Sequence, residues 1–408
     1  MILQRRDSPN SFFEASLMAS LSRLPFSSEE ERLRAFPVAR KRIFLAHAGV
    51  TSLPACAAEA MGSYVTDSSL DQQEFGGVLR EIAETRHDAA ALLGADAGEI
   101  SLLGPTSLGL SLFANGITWK SGDEVVIYGD DYPANVYPWL NLRRQGVAIR
   151  YLQTESLGRI TPECVEAALT PATRLVALAS AHFQTGWRID IPSIGELLRK
   201  KDILFSLDAI QTLGAFPTPA SEVDFLSADA HKWLLGPLAM GVVYVDKNRT
   251  ELCRPTLLGS WNVKSPDFQA QEEIEFEEGG RRYEPGVLNI AGIYGMKAAI
   301  NLIRQTGLET VSSLILERRD QLQRGLASLG FEFMGPDLSE PLRSGILTAR
   351  HPAHEPARLF TDLEQAAISA SCRKTRNHGT WLRFSPHFYN TSAEIDRVLN
   401  VLSETIKS

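Results

Sequence analysis

Residues 203–237, ILFSLDAIQTLGAFPTPASEVDFLSADAHKWLLGP, contain two apolar runs that each lead to a chemically capable side chain. The runs ILFSLDA (203–209) and DFLSADAH (224–231) are continuous rather than alternating, which is how strands covered on both faces read. Asp208 lies at the end of the first, and Lys232 follows the second directly. In open α/β sheets ligands bind beyond the carboxyl ends of the strands, so an aspartate and a lysine are predicted to face one crevice.

Outward from this stretch, EVVIYG (124–129), VAIRYL (147–152), RLVALASAHF (174–183) and GVVYVD (241–246) have the same apolar character. Helix-period segments such as GVLREIAETRHDAAALL (77–93), TPECVEAALTP (161–171) and PSIGELLRKKD (192–202) alternate with them. The alternation predicts an α/β fold with a mainly parallel sheet and crossover helices. After about residue 290 the pattern changes to long helices, short strands and a closing helix from Ser392, predicting a second, smaller domain. The 408 residues, 44% of them apolar, exceed the roughly 250–300 over which a single core grows.

Net charge is −8, and no basic run exceeds Ala39-Arg40-Lys41-Arg42, which predicts neither nucleic acid nor an anionic membrane as partner. A small-molecule substrate is expected. Cys56, Cys164, Cys253 and Cys372 are scattered without CxxC spacing, so neither a disulfide framework nor a metal site is predicted. Asp7 and Glu14 interrupt what would have to be an apolar leader, and no run of about 18 apolar residues occurs. A cytoplasmic protein in a reducing compartment is expected.

A lysine among apolar neighbours loses hydration of its charged form, which depresses its pKa and exposes a nucleophilic amine able to form a Schiff base. On local signals alone, Lys232 also reads as a strand-end lysine whose ammonium snorkels to solvent. Asp208 likewise reads two ways: as a helix N-cap, or as the partner of a pyridinium nitrogen if the ligand is pyridoxal phosphate.

Taken together, Asp208-Ala209-x-Gln211, Asp229-Ala230-His231-Lys232-Trp233 and Gly236-Pro237 resemble the core signature of the class V aminotransferase family of pyridoxal-phosphate enzymes, which includes cysteine desulfurase, epimerase and kynureninase-like branches. The likeness extends from FLAHAGVTSLP (44–54) to WLRFSPHFYNT (381–391). It implies fold type I: a large domain built on a mainly parallel seven-stranded sheet, and a smaller α+β C-terminal domain. The expected division is an N-terminal segment 1–45 packing on the small domain, a large domain 46–290 and a small domain 291–408.

The resemblance also implies roles. Lys232 would carry the cofactor aldehyde and act as catalytic base. Thr106 and Ser107 in LLGPTSLGL would hold the phosphate with the helix start behind them, and His231 would reach it too. Tyr132 would stack on the ring, Asp208 would pair with its nitrogen, and Gln211 would bond its phenolate oxygen. Arg383 would grip the substrate α-carboxylate, and His47 in the AHAG loop would face the substrate. Arg282 and Asn289 flank a loop that would reach the phosphate of a second subunit, in a homodimer.

Three departures from the family pattern stand out. Gly286-Val287 replaces the usual Gly-Thr of that loop, so a hydroxyl is lost. Asp229 stands where the desulfurase branch has serine, and needs a basic neighbour or another direction to face. Cys372, 11 residues before Arg383, is the only thiol near a desulfurase position, and ISASCRKTRNHGTWLRFS resembles the cysteine-free loop of the other branches more closely. The reading adopted is an aminotransferase acting on an α-amino acid. The alternatives are a β-eliminating carbon–sulfur lyase, an amino-acid epimerase, and a non-catalytic binding protein on the same fold. No GxGxxG follows a predicted strand, which disfavours a dehydrogenase.

Overall fold

The continuous apolar runs become strands of a seven-stranded sheet whose inner strands are buried on both faces. In this computed structural model the described residues are 24–407, apart from 72, 74 and 337–339. Strand β1 (Ile43–Phe44) belongs to a small parallel pair described below. The large sheet contains β2 (Ile100–Ser101), β3 (Glu124–Ile127), β4 (Ala148–Tyr151), β5 (Thr173–Ala179), β6 (Leu204–Asp208), β7 (Phe225–Asp229) and β8 (Gly241–Val245) in spatial order 2-8-7-6-5-3-4. Pairings from β4 across to β7 are parallel, and β8 runs antiparallel to both β7 and β2.

Alternate residues of the inner strands feed opposite cores, which is why those runs are unbroken; β4, at the edge, is largely exposed although its sequence run reads the same way. Val126, Val176, Leu178, Phe205, Leu207 and Leu226 enter one cluster, while Val125, Ile127, Leu175, Leu204, Phe225 and Val243 enter the other. Each such side chain contributes about 1.5–3 kcal/mol by burial.

Among the helices, α1 (Glu29–Ala35), α2 (Ala55–Leu70) and α3 (Phe75–Leu93) precede the sheet, and α4 (Thr106–Gly116) follows β2. Helix α5 (Pro162–Ala168) connects β4 to β5, and α6 (Ile191–Lys200) connects β5 to β6. Asp190 starts α6 by accepting from Ser193 N at 3.1 Å.

Helices α7 (Ile290–Thr306) and α8 (Leu308–Ser328) come next, then an antiparallel sheet of β9 (Glu332–Met334), β10 (Leu347–Arg350), β12 (Ser371–Lys374) and β13 (Thr380–Phe384) in order 12-13-10-9. Helices α9 (Pro356–Gln365) and α10 (Ser392–Lys407) back it, closing a third cluster around Leu347, Leu382, Phe384, Ile395 and Val398.

The division at 290/291 does not coincide with the packing. Helix α7 buries Ile293, Met296, Ala299, Ile300 and Ile303 in the large cluster, against α2 and α3. Helix α8 is shared: Val311, Leu314 and Ile315 lie in the large core, whereas Leu322 and Leu326 lie in the small one. Composition changes at residue 290, but the apolar stripe of α7 finds its partners far upstream in sequence, so the transition falls inside α8.

Of the expected N-terminal segment, residues 1–23 lie outside the described residues. Residues 24–45 touch both parts. Arg32 donates to Glu394 of α10 at 3.1 Å, and β1 pairs in parallel with β11 (Ile368–Ser369), while Leu24 and Phe36 join the large cluster. No helix among the described residues is long and apolar enough to cross a membrane.

Candidate active site

A cavity of about 400 Å³ opens beyond the carboxyl ends of β6 and β7, walled on its far side by β12 and β13. It brings together Thr106, Ser107, Tyr132, Asp208, Gln211, His231, Lys232 and Arg383 of the residues expected from sequence.

Asp208 ends β6 and is buried, one carboxylate oxygen accepting from Ile210 N at 3.0 Å. Burial pushes its carboxyl up to about 6, against the opposing pull of Ile210 N–H and the Lys232 ammonium. Lys232 is 7% exposed, and burial lowers its ammonium to about 8 despite the attraction of Asp208. Snorkelling is therefore not what this lysine does. At neutral pH a usable fraction is free amine, where an exposed lysine would have almost none. The rate at which apoprotein captures pyridoxal phosphate should rise with pH and level off above about 8, because deprotonation creates the nucleophile. A stopped-flow pH profile reads this, and a rise that begins only near the ordinary lysine range would mean burial has not tuned the amine.

At the other end of the cavity α4 begins without a side-chain cap, leaving its first N–H groups for an anion. A Cβ at Gly109 would collide with Ser227, so glycine there lets α4 settle against β7. The Thr106 hydroxyl accepts from Asp229 N at 2.8 Å, tying the helix start to the end of β7. Asp229 faces a histidine: its Oδ1 accepts from His231 N at 3.2 Å and lies 2.7 Å from His231 Nδ1 without hydrogen-bond alignment, and its other oxygen is buried without a partner.

Tyr132 lies over the lysine, with Lys232 Nζ 5.4 Å from its ring centroid and Phe183 packed edge-on. Behind it sits Asp131, a buried carboxyl that sequence reasoning missed. Asp131 accepts from Tyr132 N at 2.6 Å and from Asn135 Nδ2 at 3.0 Å, and burial together with nearby Asp208 pushes it up to about 7. It anchors the turn that presents the ring. Gln211 is held at both ends, accepting from Trp233 Nε1 at 2.9 Å and donating to Ala48 O at 3.3 Å.

Arg383, on β13, is 2% exposed; Nη1 donates to Phe183 O at 2.6 Å, whereas Nε and Nη2 are buried without a partner. Burial, reinforced by Arg373, lowers its guanidinium to about 9, still charged at neutral pH. An unsatisfied buried Nε–Nη2 edge is a fork shaped for one carboxylate. Arg373 on β12 also lines the cavity and was given no role from sequence. The signal was strand alternation: Ser371 pairs with Arg383 and Arg373 with Trp381, so Ser371, Arg373 and Arg383 share a face.

The same alternation turns Cys372 away. It pairs with Leu382, a core residue of the small domain, and burial raises its thiol pKa. His47 also corrects the sequence expectation. Its ring is fully buried, with Nδ1 2.9 Å from Ser385 O and Nε2 3.1 Å from Tyr389 Oη, so it braces the loop instead of facing substrate. Arg282 donates to Glu251 at 3.0 Å, Asn289 caps α7 by accepting from Gly292 N at 3.1 Å, and Val287 is exposed. No group of three or more His, Cys, Asp or Glu side chains among the described residues is arranged to hold a metal ion.

The residues present fit pyridoxal phosphate: an amine of lowered pKa for its aldehyde, a buried carboxylate for its ring nitrogen, an uncapped helix start for its phosphate. The comparisons agree. A probable cysteine desulfurase from Methanothermobacter thermautotrophicus is 26% identical over 402 residues, covering 93% of this chain and 98% of the relative. A cysteine desulfurase from Thermococcus onnurineus superposes with a TM-score of 0.86 at 22% identity, covering 94% of this chain and 99% of that one. A cystine C–S lyase, solved with its product cysteine persulfide, superposes with a TM-score of 0.82 at 22% identity over 90% of this chain and 99% of its own. These two structures share the fold. The sequence model of class-V aminotransferases matches residues 43–398, and the chain belongs to that family.

Proposed function

We propose that this pyridoxal-phosphate-dependent enzyme is a carbon–sulfur β-lyase, cleaving the Cβ–S bond of an α-amino acid and releasing the sulfur product to solution. The aminotransferase expectation gives way because relatives across nearly the whole chain carry the desulfurase name, and desulfuration is C–S cleavage rather than amino transfer. The observation that supports the released-product mode is the turn of Cys372 out of the cavity, while Ser371 and Arg373 line it.

The chemistry divides among the chain's own residues. Arg383 binds the α-carboxylate through its free Nε–Nη2 edge. Lys232 would hold the cofactor aldehyde through its amine and, with that amine free, would serve as the base for the Cα proton. Asp208 would hold positive charge at the ring nitrogen, Tyr132 would cover one face, and the α4 start with Ser107 and His231 would hold the phosphate. Bound pyridoxal phosphate supplies the electron sink at Cα. The Cα–H and Cβ–S bonds break and sulfur leaves with the electron pair. With one water consumed, a cysteine S-conjugate gives thiol, pyruvate and ammonium.

Purified holoenzyme given cysteine S-conjugates should release thiol and pyruvate in equal amounts without an added keto acid. Keto acid formed only against stoichiometric amination of an acceptor would make it a transaminase. Cys372→Ser should leave this rate within about twofold, as expected for a side chain off the site. A collapse of activity would place a protein persulfide back in the reaction.

The homodimer is part of the same reading, supported by exposed Leu257, Leu258, Phe268 and Val287 along the stretch 257–287.

A further inference from the structure

We infer that Arg373 is a second anion-binding group, and that the preferred substrate is an α-amino acid bearing another negative charge on the far side of its sulfur; this rests on the lyase reading above. A Cβ placed on Gly49 would lie 3.5 Å from Arg373 Nη2 and 3.6 Å from Arg383 Nη2, so both guanidinium tips border one space, kept open by the lack of a side chain there. Arg383 can satisfy a carboxylate alone: Nη1 is committed to Phe183 O, and its remaining Nε–Nη2 edge is the bidentate one. That leaves Arg373 as surplus charge.

The Arg373 guanidinium has no hydrogen-bond or ion-pair partner among the described residues, unlike that of nearby Arg376, which meets Asp130 at 3.5 Å. The cavity already holds Lys232 and Arg383 against one deep carboxylate, Asp208. Keeping two guanidiniums together is unfavourable unless an anion joins them. Arg373 is also the more exposed of the pair. It therefore stands at the rim, where the substituent on sulfur emerges once the α-carboxylate is seated on Arg383.

The test compares two isosteric ligands, S-(carboxymethyl)cysteine and its neutral amide S-(carbamoylmethyl)cysteine, by titrating the cofactor absorbance of the holoenzyme, with thiol and pyruvate release followed separately. Wild type should bind the acid at least about tenfold more tightly than the amide, the value of one charge-assisted contact. Arg373→Gln should abolish that ratio and Arg373→Lys should retain part of it. Equal binding of acid and amide by wild type, or an unchanged ratio in Arg373→Gln, would overturn the inference. A parallel loss for both ligands would also overturn it, by making Arg373 a second hand on the α-carboxylate. Selective binding of the acid without elimination would sink the lyase reading and leave Arg373 its role; elimination without selectivity would do the reverse.

Discussion

Lys232→Ala should lower turnover at least about 10³-fold, since the variant loses both the amine that carries the cofactor and the base that takes the Cα proton. Borohydride reduction of the loaded wild type should add the cofactor's mass to the chain; the variant should gain none. The fold should survive, because a buried ammonium costs solvation free energy and its removal leaves a cavity wall, not a broken core. Asp208 would lose its attracting cation, so its carboxyl should rise above its present value of about 6. Cofactor still fixed to the variant by reduction would mean that another lysine is the carrier.

The second large effect is expected at Arg383. Removing one partner of a buried, hydrogen-bonded charge pair costs about 2–5 kcal/mol, which predicts a loss of about 30-fold or more in kcat/KM for Arg383→Ala. Most of it should appear in KM, because the carboxylate is bound before and during proton transfer. Arg383→Lys should recover little. A single ammonium cannot serve Phe183 O and also offer the two parallel donors of the Nε–Nη2 edge. Unchanged kinetics in the alanine variant would remove this residue from the site and, with it, the argument that Arg373 is left over.

How much of this could be read without a structure differs by element. The sheet was legible because strands such as β5 and β6 bury both faces, which writes itself as unbroken apolar sequence. Lys232 and Asp208 were legible because a strand end is a defined place in such a sheet, and Arg383 through the family motif. Arg373 was not, because its direction depends on how β12 registers against β13, a pairing across a hairpin that local sequence leaves open. Asp131 escaped notice behind Tyr132, where only burial makes a carboxyl interesting. His47 misled for a related reason: its partners Ser385 and Tyr389 lie more than 300 residues away, and nothing near a loop histidine reveals that both ring nitrogens are spoken for.

The pleat of β12 also decides which member of one short trio meets the cavity. Ser371, Cys372 and Arg373 are consecutive, and a strand has only two sides. One inserted or deleted residue before this trio would exchange them, carrying the thiol inward and the guanidinium outward. On the lyase reading proposed above, letting sulfur go and catching it on Cys372 differ in this strand by one residue of register.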